Sequence, residues 1–406
     1  MGRVLLVTQY FYPENFKSND IAFELVKRGY KVTVLTGIPN YPKGKFFKGY
    51  GIFRKRVQNV NGARVIRAFL FPRFNGGKIG LTLNYFSWPV FASLYAFVMS
   101  LFCKFDFIIV HQASPVMQGI PAVIVKKIQR IPIYLWVLDL WPESLSAAGN
   151  IKNKKIIAFF TKITNFIYKN SDKILISSRS FRYSIQKKGD FKDKLVYFPN
   201  WAEDIFFNNN NNELPEDVTL PKGFIVMFAG NIGEAQDFEN IMKCAIILKD
   251  NKEIKFVIIG DGRKKVWLDT FIKDNDLSET VFCLGRFLLN TMPIFFKKAN
   301  VLLLSLKNET IFNLTVPAKL QTYMAAGKPV IAMLNGEGSE IIKECSCGLV
   351  VNSGDYKSMA NSLLLLKNLP SEELKIMGLA GKMYCKEHFN INKSIDRLCS
   401  FMQQDK

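Results

Sequence analysis

The chain has 406 residues, of which 49% are hydrophobic and 22% are charged, a composition typical of a folded protein with room for two domains. Seven cysteines without a CxxC pair and only two histidines exclude a disulfide framework and a histidine-rich metal centre, and they indicate a cytosolic protein. The net charge of +21 is uneven, because residues 1–200 carry +22 and the remainder carries −1. Such a basic half attracts phosphate, and because the sequence has no nucleic-acid-binding motif, it predicts an anionic membrane surface as a partner and no nucleic acid.

The first half of the chain begins as a βαβ unit. The sequence predicts a buried strand at 3–8, a helix at 20–28 with Asp20 as its N-cap, and a second strand at 31–36. A strand, a helix and a strand within 36 residues indicate a parallel sheet. Further strands are predicted at 63–69, 107–110, 133–137 and 173–177.

Residues 79–103 form a charge-free segment of 25 residues, which is long enough in principle to cross a bilayer. Pro89 interrupts the segment, and the strands before and after it must share one sheet, which a single crossing would prevent. The sequence therefore predicts one or two apolar helices, of which 86–102 is the stronger. They either dock in the lipid interface or are buried in the first domain. The cations that flank the segment are Arg64, Arg67, Arg73, Lys78 and Lys104.

The middle of the chain is typical of a linker. Residues 201–223 contain prolines and the asparagine run 208–212, a composition that favours turns over a packed core. Beyond them, strand and helix patterns alternate again, which predicts a second α/β domain with a parallel sheet. The predicted strands are 224–229, 256–259, 281–284, 301–304, 330–333 and 348–350, with a helix at 238–248.

Two Rossmann-like domains follow from these patterns, at 1–200 and at 224–385. Open parallel sheets bind their ligands at the carboxyl ends of the strands, so two facing domains place the ligands in a cleft between them. Three turns after strands of the second domain carry glycines, which let a diphosphate approach the main chain closely. Glycine after a strand is also common in simple turns. The three turns begin at Gly230, Gly260 and Gly285.

A helix is predicted at 317–326, with Pro317 in its first turn and Gly327 at its end. Its N-terminus offers unpaired N–H groups, and Lys319 lies beside them. This cation and the helix dipole can together stabilise a departing diphosphate. As an isolated helix, the segment also fits a plain packing element.

Several side chains of the first domain are candidates for contact with a second substrate, which we call the acceptor. Asp139 and Glu143 follow a strand, and a carboxylate there can accept the proton of an acceptor hydroxyl; an N-cap aspartate and a solvated glutamate are the structural alternatives. His111 also follows a strand and can accept a proton or simply make hydrogen bonds. Glu14 and Lys17 in the first loop are acceptor-binding candidates or solvated charges.

These motifs resemble those of retaining glycosyltransferases of the GT-B class (family 4 type), which includes sucrose-phosphate synthases. Within that class they resemble the bacterial O-antigen and capsule branch with its N-acetyl-L-fucosaminyl transferases. The resemblance runs over nearly the whole chain. Its residues are Tyr10-Phe-Tyr-Pro-Glu14, Arg28-Gly-Tyr-Lys-Val-Thr-Val-Leu-Thr36, Asp139-Leu-Trp-Pro-Glu-Ser144, Pro199-Asn200, Gly230-Asn-Ile-Gly233, Gly260-Asp-Gly262 and Ala325-Ala-Gly-Lys-Pro-Val330.

The resemblance implies a GT-B fold in which the C-terminal domain binds a nucleotide-sugar donor, UDP-linked by expectation. It also implies that the segment 386–406, with a helix at 391–402, returns to the first domain. The donor would be held without metal or other cofactor. The implied donor-binding residues are Gly230, Asn231, Gly233, Gln236, Gly260, Gly262, Arg263, Arg286, Pro317, Lys319 and Thr322.

Two departures from the class pattern concern the donor. Leu314 and Thr322 stand where the class has two glutamates that hold the sugar and the ribose, although the Thr322 hydroxyl can still contact the donor. The turn from Gly233 to Gln236 lacks the usual arginine and lysine, so that the cation on the diphosphate must be another, with Lys319 as first choice and Arg263 as second.

The function implied is transfer of a sugar, with N-acetyl-L-fucosamine as a candidate, to a lipid-diphosphate-linked saccharide in O-antigen or capsule biosynthesis. The enzyme would retain the anomeric configuration and would act in the cytoplasm, peripheral to the inner face of the cell membrane. Two alternatives stay open at this point. A UDP-sugar 2-epimerase has the same fold but needs cleft histidines and glutamates, and a non-catalytic membrane-assembly subunit would explain the missing glutamate pair.

Overall fold

The computed structural model describes residues 2–74, 77–147, 151, 153–207, 213–216 and 218–405, so that the asparagine run 208–212 of the predicted linker lies outside the described residues. The chain forms two compact units. The first comprises Met1–Pro199 with Asn392–Lys406, and the second comprises Asn200–Ile391. Each unit is α/β, as predicted.

The first unit is built on a sheet of eight strands. They are β1 (Arg3–Val7), β2 (Lys31–Gly37), β3 (Val57–Val60), β4 (Ala63–Ala68), β5 (Phe107–Gln112), β6 (Ile133–Val137), β7 (Lys173–Ile176) and β8 (Leu195–Tyr197). Their order is β3-β4-β2-β1-β5-β6-β7-β8, and every pair is parallel except β3 with β4. The sequence did not predict β3 and β8, which are short edge strands. The chain changes direction across the sheet between β1 and β5, which is where open α/β sheets bind ligands.

Six helices connect these strands. They are α1 (Lys17–Lys27), α2 (Lys78–Phe102), α3 (Ile120–Gln129), α4 (Glu143–Ala147), α5 (Lys154–Asn170) and α6 (Phe181–Gln186). The predicted start of α1 was wrong, because Phe16 is the N-cap and Asp20 lies in the first turn. A carboxylate in the first turn favours the helix through its dipole, so Asp20 fits either position in the sequence.

Helix α2 is a single helix that continues through Pro89. One of its faces is buried against the unit and includes Asn84, Trp88, Ala92 and Ala96, at a spacing of four residues. The rest of its surface is apolar and exposed, and 33% of its most apolar stretch is buried. Among the described helices, Ile79–Phe102 is long and apolar enough to cross a membrane.

The second unit has a sheet of six parallel strands. They are β9 (Phe224–Ala229), β10 (Ile254–Ile259), β11 (Val281–Gly285), β12 (Val301–Ser305), β13 (Val330–Met333) and β14 (Gly348–Val351). The order is β11-β10-β9-β12-β13-β14, so the chain changes direction between β9 and β12. Alternate residues of β9 pack into apolar layers on opposite faces of the sheet, with Met227 in one layer and Val226 and Phe228 in the other.

The helices of the second unit are α7 (Phe238–Ile247), α8 (Lys265–Asp274), α9 (Met292–Lys298), α10 (Thr310–Leu314), α11 (Ala318–Ala325), α12 (Glu337–Glu344), α13 (Tyr356–Asn368) and α14 (Ser371–His388). The last helix, α15 (Ile391–Gln404), packs in the first unit, where the Tyr134 hydroxyl donates to Asp405 at 2.6 Å.

The unit boundaries differ from the sequence prediction at two places. Ala202 and Phe206 of the predicted linker are buried in the core of the second unit, because this stretch is apolar before the asparagine run begins. At the other end, α14 continues to His388, so the returning segment begins with α15 and not at residue 386.

Candidate functional site

The second unit contains a cavity of about 540 Å³ next to the carboxyl ends of β9 and β10. Helix α11, helix α9 and the residues after β11 complete its wall. The apolar side includes Phe206, Phe287, Met292 and Phe296. The polar side includes Gly230, Asn231, Gly260, Asp261, Arg286, Lys319 and Thr322.

Two glycines bring the main chain close together at this wall. Gly260 has a φ of +143°, and a Cβ there would lie 1.8 Å from the carbonyl oxygen of Gly230. Gly230 has a φ of +136°, and a Cβ there would lie 2.4 Å from Cε of Lys319. Neither position accepts a side chain without displacement of its neighbour. Gly230 thus leaves the space that the Lys319 side chain occupies.

Lys319 lies in the first turn of α11 with its ammonium group buried. The Nζ atom has no hydrogen-bond partner in the described part of the chain and lies 3.7 Å from the centre of the Phe228 ring. Burial lowers the pKa of Lys319 to about 7. Burial of a cation without a hydrogen-bond or ion-pair partner costs folding free energy. A bound anion would offset this cost, so Lys319 is a candidate anion-binding residue.

The N-terminus of α11 points to the same class of ligand. Pro317 is the N-cap, and the helix begins one residue later than predicted, at Ala318. The first N–H groups of a helix have no intrahelical partner, and they carry a partial positive charge. The Thr322 hydroxyl donates to the Ala318 carbonyl at 3.3 Å, and Thr322 is half-buried.

The sequence analysis missed two aromatic residues that hold this arrangement. The Tyr323 hydroxyl accepts a hydrogen bond from the Ala229 N–H at 2.9 Å and donates to the Ala229 carbonyl at 3.2 Å, which ties α11 to the end of β9. Phe228 supplies the ring under Lys319. The available signal was the spacing, since Tyr323 follows Lys319 by four residues and lies on the same helix face.

The other predicted donor residues lie near the cavity but do not line it. The Gly233 N–H donates to the side-chain oxygen of Gln236 at 3.2 Å, so this amide folds back on its own turn. Gly262 is closely packed, because a Cβ there would lie 2.3 Å from the Ile232 carbonyl oxygen. The Arg263 side chain is exposed. The lining cations are therefore Lys319 and Arg286.

In the first unit, Asp139 has partners for both carboxylate oxygens. Trp141 Nε1 donates to Oδ2 at 3.1 Å, and the Ser144 hydroxyl donates to Oδ1. Burial raises the pKa of Asp139 despite these hydrogen bonds. The predicted role as a proton acceptor fits this geometry poorly, because the carboxylate already holds the turn that follows β6.

Glu143 is also engaged within the first unit. Its Oε1 accepts hydrogen bonds from the Ser184 hydroxyl and from Lys188, with which it forms an ion pair. Its Oε2 is buried without a partner. The alternative of a solvated glutamate does not fit this arrangement, because Ser184 of α6 and Lys188, two residues after its end, contact this carboxylate.

His111 was predicted to follow a strand, but it lies within β5, one residue before its end, and is buried. Its Nδ1 lies 3.2 Å from the Thr8 hydroxyl, whereas Nε2 has no partner in the described residues. Burial lowers the pKa of His111 to about 3, so the ring is neutral near pH 7. Of the three predicted catalytic side chains, His111 has a neutral ring, and one of its nitrogens is buried without a hydrogen-bond partner in the described residues.

The first loop places its two predicted residues differently. Glu14 is buried, and its Oε1 accepts the N–H groups of Asn40 and Tyr41 at 2.8 and 2.6 Å. Its Oε2 has no partner in the described residues, and burial raises its pKa to about 7. Lys17 forms an ion pair with Asp20 at 3.8 Å. In the part of the chain that the structure describes, no group of three His, Cys, Asp or Glu side chains is arranged to hold a metal ion.

Comparison with known proteins matches residues 223–368 to the family described as "Glycosyl transferases group 1". The chain is 28% identical to the protein named "Probable glycosyltransferase WbjE" of Pseudomonas aeruginosa over 280 residues, which cover 66% of this chain and 68% of WbjE. It is 26% identical to WcaI of Escherichia coli K12, whose name assigns it to colanic acid biosynthesis, over 313 residues that cover 75% of each chain.

Solved structures show a likeness over the whole chain. HepE of Anabaena, in a crystal structure of its complex with UDP, superposes with a TM-score of 0.71 at 11% identity, with 100% of each chain covered. At this identity the likeness shows the fold alone, which is the predicted GT-B fold with two parallel-sheet units. Apart from Phe206, the residues that line the cavity beside Lys319 lie within 223–368, the region that is similar to group 1 glycosyltransferases.

Proposed function

We propose that the second unit binds a UDP-sugar and that the enzyme transfers the sugar, with retention of configuration, to a lipid-diphosphate-linked saccharide. N-acetyl-L-fucosamine is our candidate sugar, and O-antigen or capsule biosynthesis is the proposed context, in line with the colanic acid role in the name of WcaI. The observation that carries the donor site is the unpartnered ammonium of Lys319 at the cavity wall.

A diphosphate satisfies each unpaired group at this wall. Its oxygens accept hydrogen bonds from Lys319 and from the first N–H groups of α11, and Gly230 and Gly260 let it approach the main chain. The UDP complex of HepE, which has the same fold, supports UDP as the nucleotide. The volume of about 540 Å³ suits a nucleotide, whose base can lie against the apolar side of the cavity.

Charge develops on the diphosphate as the bond to the sugar breaks. Lys319 and the N-terminus of α11 are fixed before the reaction, so they stabilise the leaving group without reorganisation. The acceptor belongs to the first unit in this proposal. There, the neutral Nε2 of His111 has no partner in the described residues but is buried and only weakly basic, while Asp139 and Glu143 hold the nearby turn and helix.

The test of the donor site is titration of UDP into the Lys319→Met variant, followed by turnover with UDP-sugars. We expect UDP affinity to fall about a hundredfold, because a charge-assisted contact to the diphosphate is lost. Arg263→Gln is the matched control, since it removes a cation of the same unit whose exposed side chain does not line the cavity. Equal UDP affinity in the Lys319→Met variant and the wild type contradicts the assignment.

Turnover separates the alternatives. A 2-epimerase consumes a UDP-sugar without an acceptor, a non-catalytic subunit binds it without turnover, and a transferase needs an acceptor extract. The group 1 match favours the transferase. A panel of UDP-sugars that includes UDP-N-acetyl-L-fucosamine identifies the donor through the shift in the midpoint of thermal unfolding.

We further propose that the enzyme is peripheral at the cytoplasmic face of the membrane, with α2 in the lipid interface. Large apolar side chains form an exposed stripe along α2 at a spacing of three or four residues, with 60% of Val90, 60% of Leu94 and 50% of Phe97 accessible. The end of α2 meets the end of α3, where Gln129 Nε2 donates to the Ser100 carbonyl at 2.9 Å. The stripe comprises Ile79, Leu83, Phe86, Val90, Leu94, Phe97 and Leu101.

Cations accompany this stripe. Lys127 lies in the last turn of α3 and Arg130 follows it, whereas Lys126 of the same turn is ion-paired with Asp172. An exposed apolar stripe beside cations, in a half of the chain with a net charge of +22, fits an anionic bilayer. The predicted flanking cation Lys78 opens α2, but its side chain lies outside the described part.

Vesicle binding tests the membrane proposal. We expect the triple variant Val90→Ser, Leu94→Ser, Phe97→Ser to bind vesicles with 30% phosphatidylglycerol at least tenfold more weakly than the wild type, because about 1 kcal/mol or more of apolar burial is lost at each position. The control is Leu365→Ser, Ile376→Ser, Leu379→Ser, three exposed apolar positions of the second unit. Unchanged binding, or a stripe variant that only dissociates an oligomer in light scattering, overturns the proposal.

A further inference from the structure

Arg73 of the first unit is caged by three tyrosine rings. Its guanidinium carbon lies 5.2 Å from the centre of the Tyr10 ring, 4.9 Å from that of Tyr41 and 5.3 Å from that of Tyr85. Tyr10 follows β1, Tyr41 follows β2 and Arg73 follows β4, and these strands are neighbours in the sheet. The cage therefore lies at the carboxyl edge of the sheet, where open α/β sheets bind ligands.

The guanidinium is only partly used by the protein. Its Nη2 donates to the Tyr10 hydroxyl and its Nε donates to Asn84 Oδ1 at 3.4 Å. A guanidinium has five N–H donors, so three have no partner in the described part of the chain. No carboxylate among the described residues lies within ion-pair distance of Arg73, and the side chain is half-buried, so its charge is neither neutralised nor fully hydrated.

Arg67, on β4 itself, has more partners within this unit than Arg73, although its buried Nε has none in the described residues. It is fully buried, and its Nη1 donates to the Lys55 carbonyl at 3.1 Å and to Gln58 Oε1 at 2.8 Å. Its Nη2 donates to the Tyr12 carbonyl at 2.9 Å. Arg67 joins three chain segments through oxygen acceptors, whereas Arg73 holds to one hydroxyl and one distant amide. The cage orients Arg73 but leaves its donors open.

The carboxyl nearest to this cluster does not neutralise it. Glu14 directs Oε1 to the N–H groups of Asn40 and Tyr41, and it makes no ion pair with any of the described residues. Burial raises the pKa of Glu14 to about 7, so part of its population is uncharged near neutrality. The edge beside β1 and β2 is therefore positive, with Arg67 and Arg73 as its buried or half-buried cations.

We propose that Arg73 binds a phosphate group of the acceptor, with its guanidinium held in place by the three tyrosines. This inference rests on the proposed function, in which the acceptor carries a lipid diphosphate. A guanidinium matches phosphate with two parallel hydrogen bonds, and stacking on aromatic rings fixes its plane before the ligand arrives. Arg73, and not the ion-paired Lys17, is then the residue of this edge that recognises the acceptor's charge.

Titration with farnesyl diphosphate, a short lipid diphosphate, tests the proposal in the full chain with UDP at saturation. We expect Arg73→Gln to weaken binding about ten- to a hundredfold and Arg73→Lys to weaken it less, because lysine keeps the charge but not the paired donors. Arg54→Gln is the matched control, since Arg54 is exposed in the same unit. It should bind within about twofold of the wild type, given the small worth of exposed charges.

Two further arms identify the ligand. Farnesol should bind equally to the wild type and to Arg73→Gln, because it lacks phosphate, whereas inorganic diphosphate tests for a free anion. Binding of inorganic diphosphate that equals that of farnesyl diphosphate and depends on Arg73 supports the phosphate site but makes free diphosphate its ligand. Equal farnesyl diphosphate binding by the wild type, Arg73→Gln and Arg54→Gln overturns the site.

The outcome is separable from that of the donor proposal. Arg73→Gln should bind UDP like the wild type, whereas Lys319→Met should keep farnesyl diphosphate and lose UDP. If Arg73→Gln does not fold, as judged by its thermal unfolding, Arg73→Lys carries the test. Loss of UDP binding in Arg73→Gln with farnesyl diphosphate binding intact would place the wrong ligand on this edge and overturn the proposal.

Discussion

Each unit buries a polar side chain, Lys319 in the first turn of α11 and Asp139 after β6, with opposite results. In the second unit, the Lys319 ammonium is buried and has no partner in the described residues. In the first unit, the Asp139 carboxylate is equally buried, but Trp141 and Ser144 donate to both of its oxygens. Hydrogen bonds within the unit therefore offset the burial of the Asp139 carboxylate, whereas the Lys319 ammonium contacts the Phe228 ring but has no hydrogen-bond partner there.

This difference separates residues that hold a site from residues that meet a ligand. Partners within the unit offset the cost of burying a polar group, and a group without partners keeps that cost until a ligand arrives. By this criterion Lys319 and Arg73 keep donors for a ligand, whereas Asp139 holds the structure around it. Glu143 and Arg67 lie between the two, because each has partners but also one buried atom, Oε2 or Nε, without a partner in the described residues.

The largest effect on stability is expected at Asp139. We predict that Asp139→Ala lowers the free energy of unfolding by about 2–4 kcal/mol, because the Trp141 N–H and the Ser144 hydroxyl lose their buried acceptor. Chemical denaturation of the UDP-free protein measures the change. UDP affinity should stay at the wild-type value, since the residue belongs to the other unit.

A stable Asp139→Ala variant without transferase activity would contradict this interpretation, because it would make the carboxylate a functional group after all. Asp139→Asn is the companion variant, since it keeps the shape and one acceptor oxygen and should lose less stability than the alanine variant.

Features that depend on residues close in sequence could be predicted, whereas those that depend on distant residues could not. Glycines after strands and the start of α11 are local patterns, so the turns at Gly230 and Gly260 and the position of Lys319 were predictable. The burial of Glu14 depends on N–H groups of Asn40 and Tyr41, which are 26 and 27 residues away. Nothing in the local pattern of the first loop indicates these partners.

Other features escaped the sequence analysis for comparable reasons. The cage of Arg73 draws on residues after three different strands and on α2, so its aromatic rings come together only in the folded sheet. The sequence also left open whether residues 79–103 form one helix or two, and the structure has one, α2, which continues through Pro89. Proline disfavours a helix interior locally, but the packing of Trp88 and Ala92 against the unit stabilises the turn around it.

Replacement of Lys319 should change the free energy of unfolding in the opposite direction to replacement of Asp139. We predict that Lys319→Met raises the free energy of unfolding of the UDP-free protein at pH 7, on the order of 1–3 kcal/mol, because it removes a buried, unpartnered ammonium. The folded pKa of about 7 is below the ordinary value of 10.5, so the unfolded chain binds more protons between these values. The penalty in the wild type is complete below pH 7 and disappears as the pH rises towards 10.5.

Denaturation of the wild type and Lys319→Met at a series of pH values tests this prediction. The difference in stability should be largest at pH 7 and should shrink towards pH 10. Saturating UDP should reverse it, because only the wild type gains the ligand's stabilisation. A variant that is less stable than the wild type at pH 7 without UDP would mean that Lys319 has a structural partner.

Glu14 is expected to show the smallest effect, and it tests whether a half-satisfied group behaves between the two extremes. Its folded pKa of about 7 is above the ordinary value of 4.5, so ionisation destabilises the fold as the pH rises from 4.5 through 7. We predict that Glu14→Gln is more stable than the wild type by about 1–2 kcal/mol at pH 8, and that the difference disappears towards pH 4.5.

The charged and titratable groups that face Glu14 are Arg73, Arg67 and Tyr10. The two arginines keep their charge throughout this range, and burial raises the pKa of Tyr10 above its ordinary value. Among these groups, the change of stability with pH is therefore due to Glu14. Glu24→Gln is the control of opposite sign, because Glu24 forms ion pairs with Lys27 and Arg28 that lower its pKa. If the free energy of unfolding depends on pH equally in Glu14→Gln and the wild type, Arg73 already neutralises the Glu14 carboxylate. The anion site would then lack its free charge.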